Sequence, residues 1–463
     1  MEPWRARELL VAGFSAAAAV GAGCGPAMAE GATDLRSRID SLARPLIEQG
    51  VAVGFVVGIL KDGETHVFPY GETVRGSGVA PGADTLYEIG SITKVFTGVL
   101  LADAAERGLV GLDDPVQDHL PASVSLPVKG TPITLAHLAE HTSGLPRLPE
   151  NLNPADPANP YADYTVERLY SGLTGHGLRR APGEYEYSNY AFGLLGHVLE
   201  LRSGLAYERL VVERVAAPLG MPDTRVRLDA DQERRLAAPH DSDLEPARNW
   251  DLPALAGAGA LRSTCRDMLA FARASLAPPD GPLGRALGRA QVERLSIGGG
   301  QAMGLGWHVA ADHQTRWHDG GTGGYYSWLA VVPGLKLGVV VLANTSTERI
   351  SRFGELATRA AAGMDVQPPA VHTEVPVDPE TLGKYVGFYS LTPEFGLDVT
   401  VAGGRLMVQA TGQQKFPVFP TAPGRFFYKV VDAQLTFVSG EGGRVDRVIL
   451  HQGGRDVEGV RRR

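Results

Sequence analysis

Cysteine and metal-binding motifs are scarce in this sequence. Only Cys24 and Cys265 occur among the 463 residues, so neither a disulfide framework nor a cysteine-based metal site can be built. No His-Glu-x-x-His motif, no cluster of Asp and His at ligand spacing and no Gly-x-x-x-x-Gly-Lys-Ser/Thr phosphate loop occurs. A Gly-x-Ser-x-Gly elbow is also missing, which argues against an α/β-hydrolase. We therefore predict no metal ion and no other cofactor.

Positive charge is not concentrated in the interior of the chain. Lys and Arg number 44 against 52 Asp and Glu, which gives a formal net charge of −8. Apart from three terminal arginines, no basic run is available for a phosphate backbone or an anionic membrane surface, so nucleic acid is not expected as a partner. The hydrophobic content of 44% and the charged content of 21% are those of a globular protein. The length predicts more than one domain.

The first apolar stretch is too short to cross a membrane. It runs from Leu9 to Gly23, about 15 residues where a spanning helix needs about 20, and no other uninterrupted apolar run is that long. Ala27-Met28-Ala29 then gives the small-x-small pattern of a secretory cleavage site. We expect residues 1–29 to be an export signal and the mature protein to be secreted or periplasmic. In an alternative interpretation Cys24 carries a lipid, but the residue three before it is Gly rather than Leu.

The order of periodic patterns predicts a sheet interrupted by helices. Residues 51–60 and 65–70 are β-rich and flank Asp62-Gly63, which is a strong hairpin signal. Helical spacing dominates from residue 95 to about residue 300, and β-rich runs return at residues 327–342. We therefore expect an antiparallel sheet with a long helical insert.

A proline-rich segment divides this region from the end of the chain. Residues 364–379 contain four prolines and lack apolar periodicity, which favours a linker. Short alternating or aromatic runs follow, separated by glycine turns, and predict a small antiparallel barrel or sandwich. The expected segments are a signal at 1–29, a first domain at 34–362, a linker at 363–379 and a β-domain at 380–463.

Ser91-Ile92-Thr93-Lys94 places a hydroxyl and an amine on one face of a predicted helix. A buried lysine can accept the serine proton and so make the hydroxyl a nucleophile. The positive end of the helix also suits an oxyanion beside Ser91. Taken alone, the tetrapeptide is more typical of a capping serine followed by a solvated lysine.

Two further motifs contain groups that suit a cleft. Tyr187-Ser188-Asn189 precedes a predicted helix, where the tyrosine can relay a proton and the amide can donate and accept hydrogen bonds. The alternative is that Ser188 or Asn189 only caps the helix. In the segment from Trp317 to Tyr325, four glycines occur in five positions and permit close approach of a substrate to backbone N–H groups. A plain glycine turn is the alternative there.

Together, in this order and at these separations, the three motifs resemble the signatures of the serine β-lactamase and penicillin-binding-protein superfamily. Its S-x-x-K and Y-x-N elements match Ser91–Lys94 and Tyr187–Asn189, and its K-T-G-type element is written His318-Asp319-Gly320 here. Tyr87-Glu88-Ile89-Gly90 resembles the class C version of the first motif. The resemblance also extends to segments 141–146, 218–221 and 259–264, and covers roughly residues 34 to 362. The region after residue 380 resembles the lipocalin-like β-domain appended to some of these hydrolases.

This resemblance implies a fold and an activity. The fold class is α+β, with an antiparallel sheet flanked by helices, a helical lobe and an active site between them, followed by a small all-β barrel. The implied activity is that of an exported serine acyl-hydrolase that opens β-lactam rings or cleaves related D-alanyl peptides through an acyl-Ser91 intermediate. The alternatives are an esterase for small acyl esters and a penicillin-binding sensor without turnover. We expect a monomer whose only partner is a small-molecule or peptide substrate.

The resemblance also implies roles for single residues. Ser91 would form the acyl-enzyme, and Lys94 and Tyr187 would share general-base and leaving-group duties. Asn189 would hold the substrate amide. The backbone N–H groups of Ser91 and Gly321 would form the oxyanion hole, and Gly320 would also take part in substrate binding.

His318 is the departure from the family pattern. Many class C enzymes have Lys there, which is cationic at neutral pH, whereas an imidazole is mostly neutral unless its pKa is raised. If His318 reads a substrate carboxylate, its protonation should matter; the alternative is that it only shapes the wall of the cleft. The His form also occurs among the peptidases and esterases of the family. His141, just before Thr142-Ser143-Gly144, is expected to support the cleft loop rather than act in catalysis.

Overall fold

A computed structural model of the chain describes residues 28–175, 177, 178, 180–367, 372, 374–393, 395–413, 415–429, 431, 433–452 and 455–462. Except for its last two residues, the expected export signal lies outside the described residues, as does the alternative lipid site at Cys24. Two compact units are formed, the first ending at Gln367 and the second beginning at Pro368. Within the described part of the chain, no helix combines the length and apolar character that crossing a membrane requires.

The first unit is built from an antiparallel sheet and helices. Its strands are β1 (Gly54–Lys61), β2 (Glu64–Gly71), β3 (Leu86–Glu88), β4 (Arg262–Thr264), β5 (Leu295–Gly298), β6 (Gln301–Met303), β7 (His308–Val309), β8 (Arg316–Gly321), β9 (Tyr326–Val332) and β10 (Leu337–Ala343). Its helices are α1 (Met28–Glu48), α2 (Thr93–Glu106), α3 (Leu135–Ala139), α4 (Val166–Gly175), α5 (Asn189–Ser203), α6 (Tyr207–Val211), α7 (Ala230–Glu233), α8 (Ala256–Gly259), α9 (Cys265–Leu276), α10 (Pro282–Ala290) and α11 (Arg349–Ala361). Short 3-10 turns occur at Gly90–Ile92, Val116–His119 and Pro333–Leu335, and a π-helical turn at Val212–Ala216.

The main sheet has eight strands in the order β2-β1-β10-β9-β8-β7-β6-β5. The predicted hairpin joins β1 to β2, and Asp62 and Gly63 both take positive φ in its turn. β1 also pairs with β10, so that Phe55 lies opposite Ala343. β3 and β4 form a separate two-stranded ribbon beside the start of α2.

Helices cover both faces of the central strands, which explains why β1 and β10 are hydrophobic almost without interruption. Alternate residues such as Phe55 and Val341 pack with α1 and α11 in one hydrophobic core. The opposite face packs against α9. At Gly58 a Cβ atom would lie 2.5 Å from the sulfur of Cys265, so glycine permits this close helix–sheet contact.

The helical lobe places α2 at its centre. Twelve residues of α2 are buried, from Thr93 to Ala104, and a helix that is buried all round belongs to a core. Neighbouring helices α5, α8 and α10 pack around it. The lobe and the sheet thus enclose the N-terminal end of α2.

The second unit is a closed antiparallel barrel of eight strands. They are β11 (Gly387–Ser390), β12 (Gly396–Ala402), β13 (Arg405–Ala410), β14 (Lys415–Ala422), β15 (Arg425–Phe427), β16 (Ala433–Ser439), β17 (Val445–Gln452) and β18 (Arg455–Arg461), preceded by the short helix α12 (Pro379–Leu382). Aromatic rings of Tyr385, Phe426 and Phe437 contact one another inside its core. Val375, within the segment expected as linker, donates its N–H to the Pro420 carbonyl of this unit.

The predicted fold class is confirmed by this architecture. An antiparallel sheet flanked by helices and a helical lobe is followed by an all-β barrel. The expected domain limits stay a prediction.

Candidate active site

The structure brings Ser91 and Lys94 together at the start of α2. Lys94 Nζ lies 2.8 Å from Ser91 Oγ and donates to the Ala258 carbonyl at 2.6 Å. The Lys94 side chain is 0% exposed, whereas Ser91 is partly exposed at the cleft. At 2.8 Å a proton can pass directly between the amine and the hydroxyl.

Glycine allows the backbone before Ser91 to lie against β8. A Cβ atom at Gly320 would lie 2.1 Å from the Ile89 carbonyl oxygen and 2.9 Å from the Ser91 nitrogen. A Cβ atom at Gly90, where φ is +47°, would lie 2.9 Å from the Gly321 nitrogen. The two backbone segments therefore touch, and this close contact is possible only because both positions are glycine.

The N–H of Gly321 points away from β9. Thr322 donates its N–H to the Tyr325 carbonyl at 3.0 Å, so the next pair along the ladder, Gly321 with Tyr326, is a non-hydrogen-bonded pair. On the other side β7 pairs with β8 only at Arg316 and Trp317. The Gly321 N–H consequently lies at an uncovered edge beside Ser91, as an oxyanion hole requires.

Tyr187 reaches the same place from the helical lobe. Its ring centre lies 5.0 Å from Lys94 Nζ. Ser188, the next residue, caps α5, since its Oγ accepts the Ala191 N–H at 2.9 Å and donates to the Pro146 carbonyl at 2.7 Å. The capping alternative thus describes Ser188, while its two neighbours lie at the cleft.

Asn189 lines a cleft of about 310 Å³ together with Ser91 and Gly321. Its Oδ1 is buried and has no hydrogen-bond partner among the residues that the structure describes. A buried acceptor of this kind is costly until a donor binds to it. The rest of the lining is mostly apolar and comprises Gly90, Tyr161, Trp250, Leu252, Leu255, Ala258, Gly259 and Thr322.

Two loops that the sequence motifs do not mark form an aromatic wall of this cleft. Tyr161 and Trp250 lie 5.3 Å apart between ring centres. Trp250 Nε1 donates to the Ala158 carbonyl at 3.2 Å, and Asn159 and Asp251 exchange two hydrogen bonds of 2.9 Å. The proline- and asparagine-rich composition of residues 148–160 marks a loop, but it does not indicate the loop with which it pairs.

A buried ion pair holds one side of that wall. Arg262 Nη2 lies 3.2 Å from Glu88 Oε1, and both side chains are less than a tenth exposed. The backbone of Trp250 contacts both members of this ion pair: its N–H donates to Glu88, and its carbonyl oxygen accepts from Arg262. Burial raises the pKa of Glu88, while the Arg262 charge opposes that shift.

His318 is enclosed rather than presented to the cleft. Its side chain is 0% exposed and its Nδ1 lies 2.5 Å from the Asp319 carbonyl oxygen. The ring of His308 lies 5.0 Å away, and burial lowers the pKa of His308 to about 4. The positively charged lysine of the family pattern is thus replaced by a buried imidazole.

His141 lies behind the loop that carries Tyr187. The ring is fully buried and stacks on Tyr187 at 4.2 Å. Burial is the largest cause that lowers its pKa well below the usual range, and the charge of Lys94 acts in the same direction. His141 therefore contacts the loop of Tyr187 from behind, and its supporting role stays a prediction.

No group of three or more His, Cys, Asp or Glu side chains suited to a metal ion occurs within the described part of the chain. The groups that the described residues bring together at the cleft are a hydroxyl, an amine, a phenol, an amide and backbone N–H groups.

Comparison with protein families covers most of the chain. A family model described as Beta-lactamase matches residues 39–363, and a second model, described as a domain of unknown function (DUF3471), matches residues 371–461.

Individual relatives agree with this assignment. The chain is 32% identical over 338 residues to the D-alanyl-D-alanine-carboxypeptidase/endopeptidase AmpH of Escherichia coli (strain K12), covering 69% of this chain and 86% of that relative. It is 25% identical over 428 residues to Penicillin-binding protein 4* of Bacillus subtilis (strain 168), covering 86% and 91% respectively. A crystal structure of a Beta-lactamase/D-alanine carboxypeptidase from Yersinia pestis complexed with citrate matches with a TM-score of 0.64 at 28% identity, covering 72% of this chain and 99% of that one.

Proposed function

The chain belongs to the β-lactamase family of serine hydrolases, and from this premise we propose that it is an exported, class C-like serine acyl-hydrolase. Its substrates are β-lactams or related D-alanyl peptides. The observation that carries the proposal is the 2.8 Å contact between the buried Lys94 Nζ and Ser91 Oγ, beside the uncovered edge of β8. A hydroxyl next to a proton acceptor and two N–H donors is the arrangement that acyl transfer needs.

Acylation begins with attack of Ser91 Oγ on the substrate carbonyl carbon. The hydroxyl proton passes to Lys94, and the N–H groups of Ser91 and Gly321 stabilise the charge that develops on the carbonyl oxygen. The C–N bond then breaks, and the leaving nitrogen takes a proton through Tyr187. Ser91 is left as an ester of the acyl group.

Deacylation reverses the direction of proton flow. A water molecule attacks the ester carbonyl, its proton passes to the Lys94 and Tyr187 pair, and the Ser91 oxygen leaves and regains a proton. The products are the acid and free Ser91, so atoms and charge balance over the cycle.

Polar and apolar residues of the cleft are assigned to different parts of the substrate. The Oδ1 of Asn189, which has no partner within the described residues, accepts a hydrogen bond from the amide N–H of the acyl substituent. Tyr161 and Trp250 supply apolar surface for the side chain of that substituent. The peptidase named among the relatives supports the D-alanyl peptide half of the proposal.

An esterase is the second candidate, and the burial of His318 favours it. A carboxylate-bearing β-lactam gains from a cation near its acid group, whereas a small uncharged ester does not. In this chain the lysine of the family pattern is replaced by His318, which is fully buried. An uncharged substrate loses no interaction when that cation is missing.

A substrate panel on the purified chain beginning at Glu30 tests the proposal. We expect hydrolysis of a chromogenic cephalosporin or release of D-alanine from an acylated D-alanyl-D-alanine peptide, and an acyl adduct on Ser91 by mass spectrometry. Faster turnover of p-nitrophenyl acetate alone would favour the esterase. An adduct that persists for hours without turnover would favour the penicillin-binding sensor, and the absence of any adduct would contradict all three.

Export is tested separately by the mature N-terminus of the full chain made in a Gram-negative host. We expect a periplasmic protein that begins at Glu30, after the Ala27-Met28-Ala29 pattern. Incorporation of labelled palmitate would instead support the Cys24 alternative, and an uncleaved cytoplasmic chain would contradict both.

A further inference from the structure

Tyr187, itself partly exposed, lies within a continuous series of mostly buried aromatic rings that joins the sheet to the helical lobe. On its sheet side, its ring centre lies 6.3 Å from that of His318. On its lobe side, it lies 4.2 Å from that of His141, with the planes inclined by 30°. The series continues through His308, Trp317 and Trp328 in the sheet and Phe192 on α5.

His141 fixes the residues on both sides of Tyr187. Its carbonyl oxygen accepts the Glu186 N–H at 2.7 Å, and its Nδ1 accepts the Ser188 N–H at 3.0 Å. Its backbone takes a φ of +60°, a left-handed conformation that few residues other than glycine adopt. Only a residue held from several directions keeps such a conformation.

The hydrogen bond from Ser188 fixes the protonation of His141. Because Nδ1 accepts an N–H, it carries no proton, and the ring is the neutral tautomer with its proton on Nε2. Nε2 is buried and has no partner within the described residues. The ring therefore has no lone pair left with which to take a proton from a substrate.

His318 acts on Tyr187 from the opposite element of the structure. It lies on β8, its side chain is 0% exposed, and the His308 ring packs behind it at 5.0 Å. A group enclosed in this way contacts Tyr187 without reaching the solvent side of the cleft. The Tyr187 ring is thus contacted by one imidazole from the lobe and one from the sheet.

We propose that His141 and His318 are positioning residues that hold the Tyr187 ring beside Lys94, and that neither imidazole touches the substrate. The importance of this for catalysis rests on the role given to Tyr187 in the proposed function, but the positioning itself does not. Both imidazoles act by packing against the Tyr187 ring. This matters for catalysis because the position of a proton-transfer group decides its efficiency.

Fluorine NMR of the full chain labelled with 3-fluorotyrosine tests the positioning without any substrate. The Tyr187 signal is identified by its loss in Tyr187→Phe. Asparagine is the replacement of choice at position 141, because its Oδ1 takes the place of Nδ1 and it tolerates positive φ, so only the ring is lost. We expect His141→Asn and His318→Asn each to shift or broaden the Tyr187 signal.

His197→Asn is the matched control. His197 is also a mostly buried histidine and lies on α5, where it bonds to Tyr170 and Glu200. We expect this variant to leave the Tyr187 signal unchanged. An unchanged signal in both cleft variants would overturn the proposal. If His318→Asn fails to fold by circular dichroism, His318→Gln gives the same comparison; if His141→Asn fails, His141→Gly, which also accepts positive φ, replaces it.

Kinetics with the substrate that the panel identifies provides the second measurement. Misplacement of a proton-transfer group should lower kcat by roughly 10- to 100-fold, with KM within about twofold, because the substrate contacts remain. The double variant should be little worse than either single one. A raised KM with unchanged kcat in His318→Asn would instead make His318 a substrate-binding residue. If the wild type turns over nothing, the proposed function fails while the NMR result still decides the positioning.

Discussion

The hydroxyl of Ser91 is the single atom on which the proposed chemistry depends. Ser91→Ala removes it and should leave the fold intact, since the side chain is small and partly exposed. We expect turnover to fall below about a hundredth of the wild-type value, because loss of a nucleophile costs orders of magnitude in rate. Initial rates and a thermal melt of both proteins check this. Residual activity above that level with an unchanged melt would assign the nucleophile elsewhere.

Lys94 and Tyr187 are expected to act as one proton-transfer unit. The Nζ atom lies 5.0 Å from the phenol ring centre and 2.8 Å from Ser91 Oγ. Lys94→Met and Tyr187→Phe should each lower kcat severely, and the double variant should be little worse than either, since cooperating groups are not additive. A double-mutant cycle on kcat measures this. Fully additive losses would mean that one of the two is only structural.

The buried His308 predicts a loss of stability in acid. Burial is the main cause that lowers its pKa from 6.5 to about 4. Between these values the unfolded chain binds a proton that the folded chain does not, so the free energy of unfolding falls as the pH falls through this range. The contribution is on the order of 3 kcal/mol. We expect His308→Gln to lose less stability than the wild type between neutral pH and about pH 4.5 in urea melts. Equal losses in both proteins would exclude His308 as the responsible group.

At the scale of single elements, β8 should tolerate no side chain at Gly320. A Cβ atom there would meet the Ile89 carbonyl oxygen at 2.1 Å and the Ser91 nitrogen at 2.9 Å. Gly320→Ala should therefore push β8 from Ser91 and lower kcat by roughly 100-fold or more, as loss of an oxyanion-hole donor does. Gly334→Ala is the control, because its nearest neighbour would lie at 3.5 Å. Similar kcat values for both variants would remove Gly321 from the oxyanion hole.

Local patterns predicted the elements whose geometry depends on nearby residues. The Asp62-Gly63 hairpin and the closeness of Ser91 and Lys94 follow from turn chemistry and from one helical turn. The contact of Tyr161 with Trp250 and the ion pair of Glu88 with Arg262 each join residues that are far apart in the sequence. No local sequence pattern indicates which distant residues will meet. The burial of His318 likewise depends on His308, whose ring packs beside it and which the glycine-rich motif alone does not indicate.

At the scale of the whole molecule, the first unit should retain the proposed catalysis without the barrel. All the site residues lie before Gln367, where the first unit ends, and the barrel has its own aromatic core. A chain of residues 30–364 should fold and hydrolyse the same substrates, with an altered melting temperature. Circular dichroism, a cooperative melt and the substrate panel measure this. A truncated chain that folds but neither acylates nor hydrolyses would give the barrel a part in catalysis.

The pairing of β1 with β10 sets the order in which the first unit is completed. Phe55 finds its partner Ala343 only after nearly the whole unit has been synthesised, and closing so long a loop carries a large entropy cost before any contact rewards it. Topologies dominated by such distant contacts fold slowly. The nascent chain therefore lacks the centre of its sheet for most of its synthesis. A chain whose sheet closes so late suits the export proposed above, because a translocation pore accepts only polypeptide that has not yet folded.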